Sequence, residues 1–174
     1  FSTHSSPSPF SLCFAVFGLN LINKVSLDTD DRKKLSQLIR AGLDKLRKSR
    51  KSQGIDLTND KSYLQLLTFS LTALNIIGTL EVDGLEDHCQ PLMANEVSAN
   101  LDRRKVHLGV PQSGNYAMFM AIILLHATKY LNQDQSSKID EWLAYHFKHM
   151  NRFGFWGDDS SMSHLQFQNG YHQY

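Results

Sequence analysis

Two kinds of apolar run alternate along the chain. The first kind is apolar nearly all round, as in Phe14-Ala-Val-Phe-Gly-Leu-Asn-Leu-Ile22 and Phe69-Ser-Leu-Thr-Ala-Leu-Asn-Ile-Ile77, which match at Phe, Leu, Asn and Ile 55 residues apart. A weaker copy runs from Phe119 to Thr128, with His126 in the place of the asparagine. The second kind carries a single apolar stripe at helical spacing. Leu35, Leu38, Ile39, Leu43 and Leu46 form one stripe, and Ile139, Trp142, Leu143, Phe147 and Met150 repeat it 104 residues later. Leu85, His88, Cys89, Leu92 and Met93 echo it in between, with Pro91 expected to start or kink that helix. These periods predict an all-α chain of at least six helices and no sheet. Apolar helices are expected at about 8–23, 61–79 and 113–131, with a fourth beginning near 161; amphipathic helices are expected at about 29–51, 85–98 and 136–150.

A helix without a polar face must be covered on every side, whereas an amphipathic one can face water. The alternation therefore predicts inner apolar and outer amphipathic helices. Leu71, Leu74, Ile122 and Leu125 should be buried, and Lys33, Arg40, Lys48 and Lys138 should stay in water. Asp28 or Asp30 can cap the first amphipathic helix, while Gly54, Gly84 and Gly154 mark turns. Read as hairpins of about 50 residues, the chain is a single all-α repeat domain over 1–174, with repeats near 1–53, 54–104, 105–153 and a partial one over 154–174.

This alternation, together with the turn-like segment Arg152-Phe-Gly-Phe-Trp-Gly157, resembles the α/α toroid of terpene cyclases, protein prenyltransferase β subunits and several polysaccharide lyases. The resemblance implies a double-layered helical ring with its site in the central cavity. A closed ring needs more hairpins than this chain supplies, so another chain or a missing segment is expected to complete it. The uncharged start at Phe1 and the polar-aromatic end at Tyr174 give the same expectation of a fragment.

Composition narrows the class. With 174 residues, 41% hydrophobic, 20% charged and a net charge of +1, the chain can bury a core, and disorder is excluded. Two cysteines, Cys13 and Cys89, make neither a disulfide scaffold nor a closed thiolate metal site. Near-neutral charge excludes general nucleic-acid coating. Phe10 to Ile22, and the ten-residue apolar centre Tyr116 to Leu125, are too short to span a bilayer, and no basic region precedes the first as a signal peptide requires. A soluble, cytoplasmic protein without a transmembrane segment is expected. Nine of the eighteen Lys and Arg residues fall between Arg32 and Lys51; this run reads as a solvated outer face, with an anionic membrane or a polyphosphate as the functional reading.

Candidate chemistry concentrates in Trp156 to Tyr174, where the apolar pattern gives way to His, Gln and Asn. His164, Gln168, Tyr171 and His172 would share one helical face at spacings of 4, 3 and 1. His164, Asn169, Tyr171 and His172 are the candidate catalytic residues, because two imidazoles, a phenol and an amide suit acid–base work near neutrality. Trp156, Asp158, Asp159, Gln166 and Gln168 are candidate substrate contacts. Elsewhere, Gln65, Thr68, Thr72 and Asn75 form a polar stripe expected to bond back to carbonyls. Asp28-Thr-Asp-Asp31 matches the cyclase acid motif but heads a basic outer helix, where acids belong anyway. Asp87-His-Cys89 matches the prenyltransferase zinc pair, yet Cys89 falls on an apolar stripe. His146 and His149 lack an evident third ligand, so no metal is assigned and the cofactor is unknown. The leading reading is a toroid enzyme, terpene cyclase- or prenyltransferase-like, acting on a small molecule. One alternative is a uronate polysaccharide lyase or epimerase acting on an oligosaccharide, with Asn169 or Gln168 neutralising the carboxylate and Tyr171 and His172 moving the proton. The other is a non-catalytic helical-repeat module that binds a protein.

Overall fold

The computed structural model describes residues 7–23, 26–80, 85–93, 96–130 and 134–173. The described residues are all-α: eight α-helices and no strands. Gly84 and Tyr174, which figured in the sequence reading, lie outside them. The chain divides into two compact units, Phe1–Gly84 and Leu85–Tyr174.

In the first unit, α1 (Pro9–Leu21), α2 (Thr29–Ser52) and α3 (Lys61–Ile76) pack on one another. Each start is set by a side-chain oxygen on an unpaired backbone N–H. Ser8 caps α1 ahead of Pro9, Asp28 accepts from the Asp31 N–H at 2.8 Å, and Asp60 accepts from the Ser62 N–H at 3.0 Å. The cyclase-like acid motif is thus a helix cap with two acids in the first turn behind it. At the far end of α2, Gly54 adopts φ +69°, and the Ile55 N–H reaches back to the Arg50 carbonyl, closing the helix.

Nine residues of α3 are buried, Leu71 and Leu74 among them, so α3 is the inner helix here. Its polar stripe is structural: Thr68 donates to the Leu64 carbonyl at 3.1 Å and Thr72 to the Thr68 carbonyl at 2.9 Å. The arginines of α2 clasp both ends of α3. Arg40 donates to the Thr79 carbonyl at 3.0 Å, Arg32 to that of Ile77 at 3.4 Å, and Arg50 pairs with Asp60 at 2.7 Å. Arg40 is therefore half-buried rather than solvated, because its guanidinium satisfies a carbonyl just past the end of α3. The lysines of α2 point outward. The first apolar helix also departs from the layering: of α1 only Cys13 and Val16 are buried.

The second unit is built on α6 (Ser113–Tyr130), which packs against α4 (Glu86–Met93), α7 (Ser136–His149), α8 (His164–Gly170) and the short 3-10 turn Val106–Leu108. The amphipathic helix expected over 85–98 is two pieces: α4 contains Pro91 and ends at Met93, and α5 covers Val97–Arg103. α5 takes its cap from another helix. The Glu141 carboxylate on α7 accepts from the Ser98 N–H at 2.7 Å and the Val97 N–H at 3.4 Å. Burial opposes its ionisation, but these donors and Lys138 hold the carboxyl below its ordinary range. Lys138 is half-buried, since its ammonium donates to the Met93 carbonyl. Leu125 and Ile122 also differ from expectation. Leu125 is 55% exposed and Ile122 half-buried, Leu125 lying along an open groove beside α7.

Candidate functional site

The segment expected to carry chemistry is held by backbone-directed hydrogen bonds. Asn151 organises the Arg152–Gly157 turn: its side-chain carbonyl accepts from the N–H groups of Phe153 and Phe155, both at 3.0 Å. Trp156 swings inward, where its indole N–H donates to the His146 carbonyl at 2.9 Å and its ring meets the His146 ring edge-on at 5.3 Å. Gly109, at φ +60°, lies so close to the Trp156 carbonyl that a Cβ there would collide with it. Asp158 accepts from the Ser160 N–H and hydroxyl, which lower its pKa, and Asp159 accepts from the Arg152 N–H at 2.9 Å. Both carboxylates are exposed and serve local turns.

Helix α8 is short and turns a different face inward from the one predicted. Gln166, Asn169, Gly170 and Gln173 are buried, while His164, Gln168 and Tyr171 face out, Tyr171 being 78% exposed. The register follows from close packing. Gly170 sits against the Phe155 ring, and Gly114 lies against the Asn169 backbone, so only that face fits. Gln166 completes a capping box with Ser163 and donates to the Asp158 carbonyl at 2.5 Å. The Asn169 amide donates to the carbonyls of Gly109 at 2.6 Å and Val110 at 2.9 Å. Trp156, Gln166 and Asn169 are therefore packing and pinning residues. His172 is half-buried and meets the Tyr171 ring edge-on at 5.1 Å. This is the one catalytic pairing of the sequence reading that the fold brings together; His164 stays apart in solvent.

A polar cluster the sequence did not reveal joins α5, the 3-10 turn and α7. The Tyr145 hydroxyl donates to Asp102 Oδ1 at 2.8 Å, and His107 Nδ1 lies 3.0 Å from the same hydroxyl and 3.3 Å from Asp102 Oδ1. The phenol proton is committed to the carboxylate, so His107 Nδ1 must bring a proton of its own. The His149 ring packs at 4.6 Å from Tyr145 and 5.4 Å from His107. Burial and Asp102 push the Tyr145 phenol well above its ordinary value. It stays protonated at neutral pH, which suits a tie between elements better than a general base. Sequence carries little signal for this set, because Asp102 and His107 meet Tyr145 across about 40 residues.

The other candidates resolve plainly. Cys89 is fully buried, and burial followed by Glu86 pushes its thiol up to about 12, so it is no thiolate ligand. Among the described residues no three His, Cys, Asp or Glu side chains come together as a metal site. His146 packs in the stripe of α7, stacked on Trp142 at 3.7 Å. Burial lowers the pKa of His126, of His146 and, with His107 and Lys148, of His149 below the ordinary 6.5. The folded state then binds fewer protons than the unfolded one, so stability is full above 6.5 and is lost as pH falls through the lowered values. Urea midpoints should drop between neutral pH and pH of about 5. His146→Gln should flatten that drop; an unchanged slope would mean that His146 titrates alike in both states.

A groove lies open between α6 and α7. It is lined by Ala121, Leu124, Leu125, Ile139, Trp142 and Leu143 and holds about 270 Å³. The Trp142 N–H is turned away to the Ala117 carbonyl at 3.1 Å, so carbon alone faces the groove from that ring. Phe147, also exposed, extends the apolar surface one turn beyond Leu143. Small-molecule sites run from about 300 to 1,000 Å³ and carry a few placed polar groups. This groove is slightly smaller and has none. No helix among the described residues is long and apolar enough to cross a membrane. No protein-family model, curated protein or solved structure matches the chain.

Proposed function

We propose that this protein is a helical binding module that takes the apolar face of a partner helix into the α6–α7 groove. The observation that carries this reading is the wholly apolar lining of that groove, with Leu125 and Leu143 exposed along it. Two helices side by side offer a channel into which apolar side chains spaced i, i+3, i+4 and i+7 can settle. Nothing polar lines the channel, so discrimination comes from shape.

A second reading draws on the same groove. In an α/α toroid, terpene cyclase- or prenyltransferase-like, a neighbouring hairpin from another chain or segment would pack there, with a small-molecule substrate in the ring cavity. The uronate lyase or epimerase variant would keep Tyr171 and His172, whose rings touch, as its proton-moving pair, with the exposed Gln168 rather than the pinned Asn169 as carboxylate neutraliser.

The test is a display library of helix-forming peptides patterned with apolar residues at i, i+3, i+4 and i+7. Selected peptides should bind at micromolar affinity, and Leu143→Asp should weaken them more than tenfold, since a charge would be buried without a partner. Binders unaffected by Leu143→Asp would defeat the module reading. Turnover of a prenyl diphosphate or a polyuronate by the unmodified chain would favour the enzyme readings instead.

A further inference from the structure

From the first unit we infer a second interaction surface: the open face of α1 and the lysine row of α2 together form a docking face for an anionic lipid bilayer. α1 contains no charged residue, and its outward positions are largely apolar, with Phe14 at 56%, Leu21 at 82% and, just beyond the helix, Ile22 at 63% exposure. It rests on α3 through Phe10 and Phe17, which meet the Phe69 ring edge-on at 6.1 and 5.7 Å, while Phe14 sits at the border, touching the same ring at 5.4 Å with more than half its surface open. At 1.5 Å per residue, its thirteen residues reach about 20 Å, short of the roughly 30 Å hydrocarbon core. Too short to span, it can meet a bilayer only by laying its open apolar side along the surface, so the charge must come from a neighbouring element.

The charge beside it has the matching sign. α2 carries nine Lys and Arg against three Asp, a net charge of +6. Its residues divide by role. Arg32, Arg40 and Arg50 are engaged with α3, whereas Lys33, Lys34, Lys45, Lys48 and Lys51 are exposed. The two features adjoin. Pro9 of α1 crosses α2 at Gly42, where any side chain would strike the proline ring, and Lys45 and Ser49 line the groove there with Phe10. Leu38, exposed on the adjoining turn of α2, adds apolar surface beside Lys34 and Lys45. An uncharged apolar helix flanked by exposed lysines pairs acyl contact with attraction to acidic headgroups. A protein partner would need a matching acidic rim at one register; a bilayer needs none.

The experiment floats the full chain with vesicles of phosphatidylcholine alone and of phosphatidylcholine with about 30% phosphatidylserine. Binding should require the anionic lipid and weaken as salt is raised. A lysine near an acidic surface contributes about fivefold, so the triple change Lys45→Gln, Lys48→Gln, Lys51→Gln should lower partitioning about a hundredfold. Leu21→Ser with Ile22→Ser should lower it more than tenfold. Both variants change exposed positions, and an unchanged helical spectrum checks their fold. Equal binding to both vesicle types, or binding to neither, overturns the inference. So does a lysine variant that loses binding to inorganic polyphosphate while the α1 variant still floats as before, which would make the lysines a phosphate site. Concentration-dependent dimers that the α1 variant dissolves, with no vesicle binding, would make the face a self-interface and equally overturn it.

Discussion

Replacing Trp156 with alanine should destabilise the second unit by about 3–5 kcal/mol, the range for a buried aromatic. The residue is 2% exposed, its ring packs on His146, and its backbone lies against Gly109. Its loss would therefore empty the joint between the 151–157 turn, α7 and the 108–110 turn. Trp156→Phe separates packing from hydrogen bonding. It keeps most of the buried surface but leaves the His146 carbonyl unpaired, at a cost of about 1–3 kcal/mol. Both tryptophans lie in the second unit, so the fluorescence of Trp142 during urea unfolding reports on that unit in either variant. A loss below about 1 kcal/mol in the alanine variant would mean that the turn is not anchored through this ring.

The first unit offers the matching test at Leu74. This side chain is fully buried on α3, the helix on which both α1 and α2 rest. Leu74→Ala should cost about 2–5 kcal/mol, depending on how far the neighbours close the void. Far-ultraviolet circular dichroism against urea measures it. A loss under half of about 1 kcal/mol would place that face of α3 at the surface.

Sequence periodicity located α1, α2, α3, α6 and α7 closely because each is a long run with a consistent apolar period and clear ends. It failed over 85–98, where α4 runs through Pro91 only to Met93 and a separate helix starts after the extended Glu96, depending on Glu141, about 45 residues away, for its cap. Capping by a distant side chain leaves no local mark. The polar change after Trp156 was legible, but its cause was not. Gln166 and Asn169 are polar because they satisfy carbonyls of two turns, and Asn169 finds its partners about 60 residues upstream. Those contacts reverse the inward face of α8 and leave His164 and Gln168 outside. Layering failed at Leu125 and along α1 for one reason: an apolar face says that something should cover it, not that a neighbour in this chain does. The Asp102–His107–Tyr145–His149 cluster was illegible beyond the i, i+4 placement of Tyr145 and His149 on α7.

The central claim is that the α6–α7 groove seats a partner helix, and a methyl spectrum tests it most directly. The chain, labelled at its Ile and Leu methyls, is titrated with a peptide selected for the apolar i, i+3, i+4, i+7 pattern. The methyls of Leu124, Leu125, Ile139 and Leu143 should shift together and saturate at one affinity, while Leu71 and Leu74, buried in the first unit, stay still. Shifts confined to α1, or to Leu165 beside His164, with the groove methyls unmoved, would contradict it.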